Sequence, residues 1–270
     1  IIIKRNMILP KEFYPKRIKD CSIHKSRIKF KNKKNKNTIY LLEERFFWMK
    51  EYLKGKKNII ELGCGNGASK DILKNNNIIL TDIQKYSWIS KKVDMTKLNL
   101  GKKYFKKVDV FIINHALHHC PNPARSLKKM LIYLKKDGLI LINEPETSFF
   151  LKFFQYLLDD EAWSYKINIF NTKKNIFKPS SPWDSNTAVA QLLFKEEKKF
   201  NFYFPNFLFL KNDLSEFSIF LNSGGVVQDT FHIPVNKIIF NLMKYIDKLL
   251  IWLLPNIFAL NRRVVLKKIK

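Results

Sequence analysis

The sequence predicts a doubly wound α/β fold, and three observations carry that reading. A short apolar run, Asn58–Leu62, meets a glycine-rich turn, Gly63–Gly67, and then a helical stretch to Lys74: strand, turn, helix. The alternation of strand and helix then continues for some seventy residues. Within it, Val108–Ile113 is apolar on both faces, as expected of a strand in the middle of a parallel sheet.

The elements follow in order. Residues 11–37 are polar, basic and aperiodic, and read as a flexible arm or a loop that orders on binding. From Tyr40 to Leu53, apolar Leu42, Phe46, Met49 and Leu53 recur at three- to four-residue steps, which marks an amphipathic helix closed by Gly55. After the glycine-rich turn, Ile78–Thr81 is a second β-branched run, closed by Asp82. Ala124–Leu134 is helical, with Leu127, Leu131 and Leu134 on one face; Lys135–Gly138 is a turn with glycine at the helix exit, and Leu139–Ile142 is the next strand. Beyond Glu144 the pattern changes. Phe149–Leu158 is an intensely aromatic helix, 159–206 is irregular, Phe207–Leu210 reads as a strand and Asp213–Leu221 as a helix. A turn at Ser223–Gly225 precedes a long amphipathic helix, Val235–Leu254, in which Ile239, Leu242, Ile246, Leu249 and Leu253 repeat on one side. Arg263–Ile269 closes the chain as a strand.

Composition bounds the function. The 270 residues, 46% hydrophobic and 27% charged, suit one large domain or a domain with an extension, and are too apolar for a disordered chain. The 50 Lys and Arg against 23 Asp and Glu give a net charge of +27. Lys and Asn dominate the exposed-looking segments, such as Lys31–Asn37, which reads as drift in an AT-rich genome; the sharper alternative is attraction to nucleic acid, an anionic membrane or an acidic substrate, centred on Lys16–Lys36. Cys21, Cys64 and Cys120 have no CxxC spacing, which argues against a disulfide scaffold or a cysteine-based zinc site and reads as a reduced, cytoplasmic chain. The longest uncharged run near the end, Leu249–Asn261, is broken by Pro255 and falls short of a membrane span. The first ten residues carry Lys4 and Arg5 in the apolar stretch and do not read as a signal peptide; the chain does not begin with Met, so Met7 is a candidate start, or the chain is a fragment.

The turn carries the chemistry. Glycines between a strand and a helix let the backbone approach a ligand, and the helix N-terminus beyond offers free N–H groups. Asp82, at the end of the next strand, is placed to accept both hydroxyl protons of a ribose. The spacing is GxGxG with an acid, Glu61, two residues before the first glycine, which fits a dinucleotide's GxGxxG poorly.

Glu61-Leu62-Gly63-Cys64-Gly65-Asn66-Gly67 resembles motif I of the class I S-adenosylmethionine-dependent methyltransferases. The resemblance extends to Asp82 as the ribose acid, to Val93-Asp94-Met95 as the loop beside the adenine, to Ile113–His119 after the fourth strand, and to Leu134–Leu139 before the fifth. The run is similar to the small-molecule (type 11) branch, although LKKDG replaces the usual Pro-Gly-Gly turn and little room is left for a helix between Asp82 and Asp94. It implies a Rossmann-like seven-stranded sheet with the last strand antiparallel, plus a helical lid and C-terminal insertion. Val264–Lys268 is then expected antiparallel beside Leu139–Asn143. It divides the chain into a basic arm (1–39), a cofactor-binding core (40–146), a lid and substrate region (147–206) and a C-terminal completion of the sheet (207–270). It places S-adenosylmethionine against Glu61, Gly63, Cys64, Gly65, Asn66, Asp82, Ile83, Asp94, Met95, Asn114 and His115.

An oxygen nucleophile benefits from a base, and His118 or His119 at the C-terminal edge of the sheet offers one, with Glu144 and Asp159-Asp160-Glu161 competing. The family's histidine, matching His119, is otherwise a structural group that bonds a neighbouring loop. Three histidines in five residues invite a metal. His118 and His119 are adjacent, however, so their side chains are expected to diverge, with no carboxylate at ligand spacing, and no metal is expected. The aromatic helix is either a lid over an apolar pocket or core; the helix Val235–Leu254 is expected in the core, with peripheral contact to the inner face of a membrane as its alternative. The leading function is methyl transfer to a small molecule: a saccharide, a lipid-linked or a quinone-like acceptor. An RNA methyltransferase is the alternative suggested by the charge, although Asn114-His115-Ala116-Leu117 is not the Pro-Pro-aromatic motif of base amino methylation. A non-catalytic cofactor-binding domain and an NAD-dependent enzyme rank below both, and the oligomeric state is not legible.

Overall fold

The computed structural model describes residues 9–16 and 21–270. Residues 1–8, with Met7 and most of the apolar N-terminal stretch, and 17–20 of the basic run lie outside the described residues. A two-residue strand, β1 (Glu12–Phe13), is followed by the helices α1 (Ile23–Lys31), α2 (Lys36–Phe47) and α3 (Lys50–Leu53). The α/β alternation runs through β2 (Ile59–Leu62), α4 (Ala68–Leu73), β3 (Ile78–Asp82), β4 (Lys91–Lys92), β5 (Val108–Asn114), α5 (Pro123–Tyr133) and β6 (Leu134–Pro145). Then come α6 (Phe149–Leu157), β7 (Trp163–Ser164), α7 (Val189–Phe194), α8 (Glu197–Tyr203), β8 (Phe207–Ser215), α9 (Ser218–Leu221), α10 (Lys237–Leu253), α11 (Pro255–Phe258) and β9 (Asn261–Lys268).

Seven strands form one sheet in the order β4-β3-β2-β5-β6-β9-β8. The first five are parallel; β9 runs antiparallel to β6, and β8 antiparallel to β9. The expected closing pair is present, from Leu139 opposite Lys267 to Asn143 opposite Arg263. A separate ribbon pairs β1 with β7. Alternation along the central strands sets two cores, because successive side chains point to opposite faces. Ile60, Phe111, Ile113, Ile140 and Val264 pack with Leu127 and Met130 of α5 and Phe194 and Phe200 of α7 and α8. Ile59, Val110, Ile112, Leu141 and Val265 pack with Leu42 and Phe46 of α2 and Leu73 of α4. Burial on both faces explains why these strands read as continuous apolar runs.

Several sequence expectations are corrected. Part of the basic arm is helical rather than a flexible arm or loop: Ser22 caps α1, which makes side-chain contacts to the glycine-rich turn. The helix 40–53 begins at Lys36, capped by Asn35, and breaks after Phe47 into α3. Lys135–Gly138 is an irregular part of β6 rather than a free turn: Val108 faces Leu134 and Val110 already faces Leu139. The region 159–206 contains α7 and α8. The strand begun at Phe207 runs to Ser215, taking Asp213 out of the expected helix and leaving only α9.

The largest correction concerns α10. It buries Phe240, Asp247 and Ile251, whereas the expected core stripe of Ile239, Leu242, Ile246, Leu249 and Leu253 is exposed. Among the described residues no helix is long and apolar enough to cross a membrane.

Candidate functional site

The parallel strands β2, β3, β5 and β6 end at one edge, where open α/β sheets bind ligands. Gly63 leaves β2 with φ +70°, and Gly65 and Gly67 also lie in the left-handed region. A Cβ on Gly63 would stand 2.5 Å from that of Ala116, in the loop after β5, so the two loops approach as closely as backbone permits. Asp82 ends β3 and turns toward this bend: Oδ2 accepts the Gly65 amide at 2.9 Å and Oδ1 that of Gln84 at 3.0 Å. Burial raises its pKa, and each oxygen retains a lone pair for a sugar hydroxyl. Pairing of β3 with β4 carries the chain back, so that Met95 Cε reaches 3.8 Å from the Gly63 position; Asp94 Oδ1 accepts the amides of Thr96 and Lys97. Ile83 follows Asp82 and is exposed. A glycine cradle, a facing carboxylate and a half-exposed apolar shelf fit a nucleoside cofactor with an amino-acid tail.

Other expected cofactor residues turn elsewhere. Glu61 is buried, its carboxyl hydrogen-bonded by Ser69 of α4; burial pushes its pKa up to about 8, so it ties strand to helix in protonated form. Cys64 packs into the α2–α4 core, and burial raises its thiol pKa. Asn66 Oδ1 accepts the Ala68 amide, and its Nδ2 donates to Ser26 of α1. Asn114 and His115 belong to a polar chain beneath the edge. Asn143 donates to Asn114 Oδ1 (2.9 Å), Asn261 donates to Asn143 Oδ1 (2.8 Å), and His115 Nε2 lies 3.1 Å from Asn261 Oδ1. That side-chain oxygen only accepts, so His115 Nε2 carries the proton, and burial keeps the ring neutral.

Next to the turn stands an ionic cluster. Glu144, fully buried at the end of β6, accepts the amides of Ala116 (2.6 Å), Leu117 (2.7 Å) and His118 (3.2 Å), and His118 Nδ1 at 2.6 Å. Its acceptor sites are filled, so it is an anchor for the 3₁₀ turn Leu117–His119 rather than a base. His118 Nε2 meets Glu161 Oε1 at 3.2 Å. Burial alone would lower the His118 pKa, but Glu144 and Glu161 outweigh it and push it up to about 10: His118 is an imidazolium between two carboxylates. Burial also pushes against the ionised form of Glu161, yet the His118 charge and hydrogen bond hold it down to about 2. His119 donates through Nδ1 to the Asp184 carbonyl (3.0 Å); burial and then the His118 charge hold its pKa down to about 4, leaving Nε2 a bare lone pair 3.6 Å from Glu161. His118 is 3% exposed, whereas His119 and Glu161 are 22% and 32% exposed and form the open side of the cluster.

The adjacent histidines do not diverge as expected. The rings of His118 and His119 lie 4.1 Å apart, and Glu161, from the chain after α6, supplies a carboxylate; one ligand atom from each of the three lies within 4.8 Å of the others. Among the described residues these three are the group that could hold a cation, and His118 and Glu161 already pair with each other.

Sequence reasoning missed the groups that cover the turn. Trp88 Nε1 donates to the Gly65 carbonyl at 2.9 Å, Tyr86 stacks on Trp88, and Arg27 of α1 donates to the Asn66 carbonyl (2.7 Å) and Asp71 (2.8 Å) while lying over the Trp88 ring. Two aromatics in the short polar loop after Asp82 were a legible signal for this cover; nothing marked Arg27. Toward β9, the rings of Phe150, Phe217 and Phe258 pack at 4.9–5.4 Å, and Trp183 lies edge-on to His119.

Residues 35–203 match the sequence family described as a methyltransferase domain. Among solved structures, the chain is similar to a SAM-dependent methyltransferase from Archaeoglobus fulgidus at 18% identity and a TM-score of 0.50, covering 85% of this chain and 94% of that one. It also matches the plantazolicin methyltransferase solved with S-adenosylhomocysteine, at 16% identity, 92% and 90% coverage and a TM-score of 0.44. No curated protein sequence matches the chain significantly.

Proposed function

The chain belongs to the methyltransferase-domain family and is a methyltransferase that uses S-adenosylmethionine; from that premise we propose that its acceptor is a small molecule methylated beside the His118–Glu161 cluster. One observation carries this reading: the partly exposed groups able to handle a proton, Glu161 and His119, sit beside Trp183 at the strand edge adjoining the cofactor turn. A strand edge where proton-accepting groups stand beside an aromatic ring suits a compact acceptor.

When bound, the cofactor supplies an electrophilic methyl group on a sulfonium. The glycine-rich turn would hold its amino-acid tail and Asp82 its sugar, with Arg27, Tyr86 and Trp88 covering the bend. Glu144 acts as a positioning residue: four acceptor contacts fix the loop and the orientation of His118. His118 in turn keeps Glu161 ionised and aimed at the opening. Glu161 is the group that would take the proton of an acceptor hydroxyl or amine held beside the cluster. His119 Nε2 offers a second acceptor beside it. Holding nucleophile and methyl group in line supplies most of the acceleration, and the base adds to it.

The experiment is methylation of a cell extract with methyl-labelled cofactor. Label in the organic-extractable or small polar fraction supports the reading, and label in RNA overturns it. With an acceptor in hand, Glu161→Gln should lower kcat by about 100-fold while S-adenosylhomocysteine affinity stays within about twofold. A variant at full rate would remove Glu161 from the mechanism.

A further inference from the structure

Helix α10 carries a second surface that methyl transfer does not use. Ile238, Leu242, Tyr245, Leu249 and Trp252 recur at four- and three-residue steps, so they form one stripe, and they are 80%, 58%, 71%, 56% and 77% exposed. The helix is held from its other side. Asp247, its only acid, turns inward and accepts the amides of Phe217, Ser218 and Ile219, while Phe240 and Ile251 are buried. This polar anchor fixes the rotation of α10 and leaves its apolar stripe in water.

We propose that this stripe seats α10 in the headgroup region of an anionic lipid bilayer, lying in the plane of the membrane. The chemistry of the face matches that occupant. Trp252 and Tyr245 are the amphipathic rings that settle at a membrane–water boundary, with Leu and Ile between them to enter the acyl border. Lys237, Lys244 and Lys248 line one flank, and with Asp247 turned inward no acid of the helix faces outward. Of these lysines, Lys237 and Lys244 pair with Glu43 and Glu44 of α2. The net charge of +27 draws the whole molecule to an anionic surface. A second copy of the chain is the poorer occupant, because two molecules of that charge repel and the stripe offers no acid to pair with the other copy's lysines. The helix is too short and too interrupted by lysine to span the bilayer, so it lies on it.

The test is co-sedimentation of the full chain with phosphatidylcholine vesicles, with and without about 30% phosphatidylglycerol. Binding is expected to the anionic vesicles and to weaken as salt rises from about 0.1 to about 0.5 M. Leu242→Glu/Leu249→Glu should lose about tenfold or more of it, with its melting temperature and S-adenosylhomocysteine affinity unchanged. Should that variant fold poorly, Trp252→Ser carries the same expectation. Absence of sedimentation with anionic vesicles, or equal sedimentation of wild type and variants, overturns the proposal. So does a dimer in analytical ultracentrifugation that the same substitutions dissociate, which would assign the stripe to a second copy. Cofactor affinity is read separately, so failure of the membrane proposal leaves the methyltransferase reading standing, and the reverse.

Discussion

Gly63 and Glu61 stand two residues apart and do different work. Gly63 needs both its positive φ and its missing Cβ, because Ala116 occupies the space a methyl group would take. Gly63→Ala should therefore cost about 2 kcal/mol or more of stability and weaken S-adenosylhomocysteine binding at least about tenfold, measured by thermal melting and calorimetry. Glu61 was legible as the motif's acid but not as a buried one. Its folded pKa, about 8, lies above the ordinary 4.5, so the folded chain keeps a proton that the unfolded chain has lost. Stability should thus fall as pH rises from about 4.5 to about 8, and level off beyond. Glu61→Gln keeps the shape and removes the titration; it should flatten that dependence and melt higher than wild type at pH 8.5, by an amount on the order of 3 kcal/mol. Parallel melting curves for the two proteins across that range would show that Glu61 is not the buried acid described here. The histidines teach a related lesson. Their spacing placed them at the strand edge, but their charges depend on Glu144 and Glu161, which lie 26 and 43 residues from His118.

At the scale of elements, α2 is tied to the junction of β8 and α9 by a buried ion pair. Arg45 Nε donates to both oxygens of Glu216 (3.1 and 3.0 Å) and Nη2 to one (2.7 Å), with both side chains almost wholly buried. Removing one partner strands a buried charge. Arg45→Met should cost about 3–5 kcal/mol, and adding Glu216→Gln should return part of it; denaturant melts of the single and double variants check this. A neutral double-mutant cycle would mean that the pair contributes nothing. The strands of the core and α5 were legible because burial on both faces, or on one stripe, is written into composition and period. Helix α1 was not: its sequence, IHKSRIKFK, has no apolar stripe, and it is held by Ser22 at its N-terminus and by polar contacts to Asn66, Asp71 and Val226. The helix α10 was legible as amphipathic yet assigned the wrong environment, because period reveals a face and not what covers it.

For the whole molecule, cofactor binding couples to folding, since the turn, the β3–β4 loop and α1 converge on one bend from segments spread over residues 23–95. At about 100 times its Kd, S-adenosylhomocysteine should raise stability by about 2.7 kcal/mol, seen as an upward shift in melting temperature that Asp82→Asn diminishes. No shift at saturating ligand would mean that the bend does not hold the nucleoside. The sequence by itself determined the doubly wound sheet, the glycine-rich bend and the acid facing it, because those follow from local period, turn chemistry and order along the chain; the antiparallel closing strand was implied by the family resemblance. Only the tertiary structure decided that Glu144 is an anchor, that Glu161 completes the histidine cluster, that α1 touches the cofactor turn and that α10 shows its apolar stripe to solvent. Each of these rests on contacts between residues distant in sequence, and such pairings leave no periodic trace in either partner.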